Sequence, residues 1–116
     1  MDERVEKAFA VVNYMATLSN QRRLLQEEYE QKLIYYTNGA TFKLGPELLT
    51  FTKTVIDLGY EEDVAFVDAN NFPIIIPNVK DFFEKISSQY FEVTNNYAAK
   101  YTELKTKRKI SDIVEL

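Results

Sequence analysis

Histidine and cysteine are both absent from this chain of 116 residues. Without cysteine there is no disulfide framework and no thiolate metal site. Without histidine the commonest general base and the commonest transition-metal ligand are missing together. Ser19, Ser87, Ser88 and Ser111 therefore have no imidazole to activate them as nucleophiles. Glycine is also scarce, with three residues in all. Each falls where a turn or helix boundary is expected, so little backbone is left to cradle a phosphate. No P-loop or dinucleotide fingerprint occurs. These absences predict a protein that is not an enzyme and needs no metal or organic cofactor.

Long apolar runs are missing as well. The greasiest stretch, Phe72 to Pro77, is far short of the roughly 20 residues that a membrane span requires. The start, MDERVEKAF, is acidic where a secretory signal would be basic and then apolar. The expected address is cytoplasmic, with no membrane partner. Net charge is −4, which disfavours nucleic-acid binding by the surface as a whole and leaves only a local basic patch for it.

What is present is ordinary globular composition, 46% hydrophobic and 28% charged, in a chain long enough to bury a core without crosslinks. The pattern predicts a single α+β domain over 1–116. A first helix is expected over 2–34. Val5, Phe9, Val12 and Met15 recur at helical spacing, and Leu18, Leu25, Tyr29 and Leu33 continue the stripe after a slip near Ser19. No Gly or Pro interrupts the stretch, which favours one long helix over two. Asn38-Gly39 is the preferred pair for a two-residue type I′ hairpin. Placed at the turn of a hairpin over 33–44, it sets Tyr36 opposite Thr41, Tyr35 opposite Phe42 and Leu33 opposite Leu44. Leu33, Tyr35, Phe42 and Leu44 then form one apolar face.

Pro46 opens a second helix over 46–58, with Leu48, Leu49, Thr52, Val55 and Ile56 on its apolar face and Gly59 ending it. Glu61, Glu62 and Asp63 read as an acidic loop. A second hairpin over 64–76 turns through Asp68-Ala69-Asn70-Asn71, with Asn71 suited to the left-handed position. Pro73 cannot donate to a ladder and belongs at an edge. Asn78 caps a last helix over 78–108, and 110–116 is a tail with no assigned element. At about 1.5 Å per residue each outer helix is roughly 45 to 50 Å long. The two are expected to be antiparallel.

Three clusters could carry function. The acidic loop with Asp68 lacks the alternating ligands and central Gly of a calcium loop, so a solvated loop is the better reading. A basic patch, Arg22 and Arg23 with Lys105, Lys107, Arg108 and Lys109, could touch phosphates, although helix C-termini attract such residues anyway. The last helix is rich in aromatics, and its adjacent pairs, Phe82-Phe83 and Tyr90-Phe91, make the apolar face unusually wide. A face that wide predicts an interface as well as a core, with Tyr90, Phe91, Tyr97 and Tyr101 as candidate self-association anchors.

YYTNGATF (35–42) and VDANNFPIIIPNVKDFFEKI (67–86) resemble small proteins carried by T4-like phages of marine cyanobacteria. That resemblance implies a phage-encoded protein in the host cytoplasm and no particular activity. The order of elements is similar to that of α-type prefoldin subunits, which would imply a chaperone. Here Ser19, Arg22 and Gln26 break the heptads of the first helix, and a real helix separates the hairpins. The expected function is a non-enzymatic protein-interaction or structural accessory protein that forms a homo-oligomer or binds another protein. The alternatives are a nucleic-acid accessory factor using the basic end of the last helix, and a prefoldin-like chaperone.

Overall fold

The computed structural model describes residues 2–107. Three helices and two antiparallel hairpins alternate: α1 (Glu3–Lys32), β1 (Ile34–Thr37), β2 (Ala40–Lys43), α2 (Pro46–Asp57), β3 (Glu62–Val67), β4 (Pro73–Asn78) and α3 (Val79–Lys107). The fold is α+β. Contacts divide it into two compact units, one of Met1–Tyr29 with Asn95–Leu116 and one of Glu30–Thr94.

In the second unit the first hairpin has the expected register, Tyr35 facing Phe42 and Tyr36 facing Thr41. The Leu44 amide donates to the Leu33 carbonyl at 2.7 Å, which extends the pairing by one more step. The turn has the left-handed geometry that Asn-Gly supplies, with φ of 47° at Asn38 and 80° at Gly39. A side chain at Gly39 would meet nothing within 4 Å, so a substitution there is penalised by backbone conformation alone. Gly39→Val is accordingly expected to cost about 1–3 kcal/mol. An unchanged Tm would refute the turn's role.

The helix α2 begins with Pro46 at its first position and presents buried Thr52 and Val55. It closes in a Schellman arrangement: the Gly59 amide donates to the Ile56 carbonyl at 2.9 Å and the Tyr60 amide to the Val55 carbonyl at 3.1 Å. Gly59, at φ 91°, adopts the left-handed conformation that this closure requires.

The second hairpin is longer than the hydrophobic pattern indicated. Glu62 pairs with Asn78 and Val67 with Pro73, so Glu62 and Asp63 are strand residues and not loop. Backbone pairing extends past the apolar core because the Val79 amide still donates to the Glu61 carbonyl at 2.9 Å. Asp63 has φ 51°; by the register it stands opposite Pro77, which has no N–H to offer. Asn71, at φ 64°, fills the expected left-handed position of the turn.

The helix α3 starts under an Asn78 cap, whose Oδ1 accepts from the Asp81 amide at 3.0 Å. Its Val79, Phe82 and Ile86, buried at successive turns, form the core of this unit with Leu33, Phe42, Leu44 and Phe66. Phe82 is the hub, meeting Tyr35, Phe42 and Phe66 edge-to-face at centroid distances of 6.0, 5.2 and 5.5 Å. Gln89 of the same helix donates from Nε2 to the Lys32 carbonyl at 3.1 Å, satisfying one of the acceptors left open at the end of α1.

In the first unit α1 is continuous through Ser19. Tyr29 stacks on Tyr97 at 4.2 Å, Glu28 pairs with Lys100 at 3.5 Å, and Arg22 lies over the Tyr101 ring at 5.8 Å. Numbers that fall along α1 are matched by numbers that rise along α3, which points to an antiparallel pair. Leu18 and Leu25 are the buried residues of α1 here.

Candidate functional site

The first half of α1 departs most from its sequence reading. Val5, Phe9, Val12 and Met15 are 40%, 56%, 62% and 53% exposed. The residues of α1 that meet α3 are Arg22, Glu28 and Tyr29 instead, and the buried residues of the helix are Leu18 and Leu25. At about 100° per residue these two sets lie on different faces, roughly 130° apart. The covered face does not begin at Ser19: half-buried Val11 and Tyr14 already lie on the side of Leu18 within the N-terminal half. A stripe that reads as one buried face is two: one packed within the chain, and one left open on the N-terminal half.

The aromatic residues of α3 are largely taken up within their own chain. Tyr97 is half-buried between Tyr29 and Tyr101, whose rings lie at 4.2 and 6.2 Å. Tyr101 also carries the Arg22 guanidinium. Tyr90 is half-buried and meets the edge of Phe91 at 5.3 Å. Phe91 is 57% exposed, and Tyr101 remains 37% exposed. Of the candidate anchors, Tyr90 and Tyr97 are thus half-buried, Tyr97 by stacking on Tyr29 of α1, while Tyr101 and Phe91 remain exposed.

The basic patch is dispersed. Arg22 is half-buried over its tyrosine, and Arg23 lies 3.9 Å from Glu27. Lys105 is exposed and Lys107 ends α3. Arg108, Lys109 and the tail 110–116 fall outside the described residues. Beside the patch, Leu24 and Leu25 of α1 and Leu104 of α3 line a groove of about 280 Å³, spanned by the Glu28–Lys100 pair. Its lining contributes two carboxylates, one ammonium group and the Gln21 carboxamide, with no hydroxyl among them.

The acidic residues do not converge. Among the described residues no three carboxylates come together as a metal site would require. Glu61 is paired with Lys80 at 3.0 Å. Asp68 is buried, and its role is structural: Oδ2 accepts from the Thr41 amide at 3.1 Å, while Oδ1 accepts from the Asn70 and Phe72 amides at 3.0 and 2.9 Å. The Ala69 amide returns a bond to the Thr41 carbonyl at 2.7 Å. These bonds join the turn of the second hairpin to the edge of β2. The Thr41 amide first, then that of Phe72, holds the Asp68 carboxyl below its usual pKa, against the opposing effect of burial. Its sequence signal was an Asp opening a turn, the Asx position. Its partner 27 residues away left no local trace.

Among the described residues every buried side-chain nitrogen and oxygen has a hydrogen-bond partner, so no orphaned polar group marks a ligand site. No described helix is long and apolar enough to cross a membrane. Among the described residues, exposed apolar side chains also occur on the hairpins and at the end of α2, Tyr36, Leu58, Tyr60, Val67, Phe72 and Ile75 among them; the apolar face of α1 is the set that recurs at helical spacing on one element. Comparison of the chain with family models, with curated proteins and with solved structures found no match.

Proposed function

We propose that this is a non-enzymatic interaction protein that self-associates through its first helix. The observation that carries the reading is the exposed apolar face of Val5, Phe9, Val12 and Met15. Contiguous apolar surface on one side of a helix is costly in water and normally marks a contact with another chain. Covering the half-exposed Phe9 and Val12 would each contribute on the order of 1 kcal/mol, since full burial of such a side chain is worth about 1.5–3 kcal/mol. The contribution is doubled in a two-fold pair. Composition supports the same reading, because a chain without His or Cys has few routes to acid–base or thiol chemistry.

A nucleic-acid role gains less support. Two of the arginines that would contact phosphate are engaged, one with Tyr101 and one with Glu27.

Sedimentation equilibrium of the full chain tests the proposal. Wild type is expected to rise above its 13.6 kDa monomer mass as concentration increases into the hundreds of micromolar. Phe9→Asp is expected to remain monomeric with an unchanged Tm, because the residue supports little intrachain packing. A wild-type monomer at every concentration would end the reading. A steeply salt-dependent gel shift with nucleic acid would favour the accessory-factor alternative.

A further inference from the structure

The open face of α1 has a spacing that specifies its own partner. Val5, Phe9, Val12 and Ala16 follow one another at intervals of four, three and four residues, the a/d rhythm of a coiled-coil seam. All four are exposed. The seam stops where the next two positions become Ser19 and Arg23. It is about 16 Å long at 1.5 Å per residue, which suits one short helix of equal length.

We propose that the occupant is a second copy of this chain, its α1 laid antiparallel on this one with Phe9 of each copy against Val12 of the other. The inference rests on the self-association reading above and specifies its geometry. In this register Val5 of each copy meets Ala16 of the other, so all four seam positions are apolar on both sides. Sliding the helices by one heptad in one direction sets Val5 against Arg23 and Phe9 against Ser19. Sliding them in the other sets Val12 against Asp2. Neither alternative keeps the seam apolar.

Charge selects the orientation. The first turn of α1 carries Glu3 and Glu6, with Asp2 just before it, and these three carboxylates outnumber the cations of the same segment, Arg4 and Lys7, by one. A parallel pair would set these carboxylates beside their own copies, with the two helix dipoles aligned. The antiparallel pair moves each N-terminal end, net acidic by one charge, to the far end of the contact, within about one turn of Arg23 of the other copy, which is exposed and only loosely paired with Glu27 at 3.9 Å. The flanking positions agree: Ala8 and Met15 extend the apolar strip along one side, and Asn13 faces Glu6 along the other.

The lack of native cysteine makes the arrangement directly readable. Two full-length variants, Val5→Cys and Ala16→Cys, are mixed near the concentration at which wild type associates and are oxidised mildly. The mixed disulfide is expected to exceed either homodimer by at least tenfold, since antiparallel seating juxtaposes 5 with 16 and separates 5 from 5. Circular dichroism of each variant checks that these exposed substitutions leave the helices intact. A Val5→Cys homodimer that dominates would mean a parallel pair and overturn the proposal. Association by sedimentation with no crosslink in the mixture would place the interface elsewhere, overturning this geometry while sparing self-association. A monomer throughout would overturn both.

Discussion

Phe82→Ala is expected to lower the stability of the protein by about 3–5 kcal/mol, the largest effect of any single aromatic truncation. Phe82 is 4% exposed and contacts three rings that come from β1, β2 and β3. Its ring is therefore the piece common to both hairpins and α3. Phe66 carries the contact on to Phe51 of α2 at 5.3 Å. Removal leaves a cavity whose walls are anchored on four different elements, so little of it can collapse. Phe91→Ala is the control. It lies on the same helix but is 57% exposed, and the change should shift stability by less than about 1 kcal/mol. Chemical denaturation with the two variants in parallel decides the matter. Equal losses at both positions would show that the aromatic hub is not where the stability resides.

Asp68 should give the largest effect of any carboxylate, and it should depend on pH. Its two oxygens accept three backbone amides. Asp68→Ala abandons all three donors, and buried donors without partners are costly. Asp68→Asn is expected to be milder. The amide oxygen can still serve Asn70 and Phe72, but the NH2 group then faces the Thr41 amide, donor against donor. Because the folded pKa is depressed, the carboxylate's contribution is fully present above its unfolded value, about pH 4. It is lost as pH falls from there through the lower folded value. The Tm difference between wild type and Asp68→Asn should thus be constant from pH 7 to about 5 and narrow on further acidification. A difference that persists unchanged to pH 2 would show that the charge is not what holds the two hairpins together.

Elements bounded by backbone chemistry were legible in the chain. Asn38-Gly39 determined the register of the first hairpin, because few other pairs adopt two successive positive φ values. Pro46 and Gly59 bounded α2, and Asn78 capped α3, because each acts on groups within one turn of itself. Apolar spacing likewise identified the buried faces of β2 and α2, whereas on β1 the expected inward Tyr35 and outward Ile34 are half-buried alike. Extent was less legible where pairing outran hydrophobicity: Glu62 and Asp63 joined β3 through main-chain bonds that any side chain permits.

The candidate site shows the same division in sharper form. The chain by itself favoured one long helix with an apolar stripe that slips near Ser19, since period and propensity are local properties, and the structure made that helix continuous. It could not say which face would be covered. That depended on where α3 lies, with Tyr97 against Tyr29 and Tyr101 against Arg22. Once α3 occupies the face of Leu18 and Leu25, the face of Phe9 and Val12 has no described partner within the first unit. By the same event Tyr97 of α3 became half-buried against Tyr29, while Phe91 stayed exposed. Burial is decided by what arrives from elsewhere in the chain, and a helical period specifies a face without naming what will meet it.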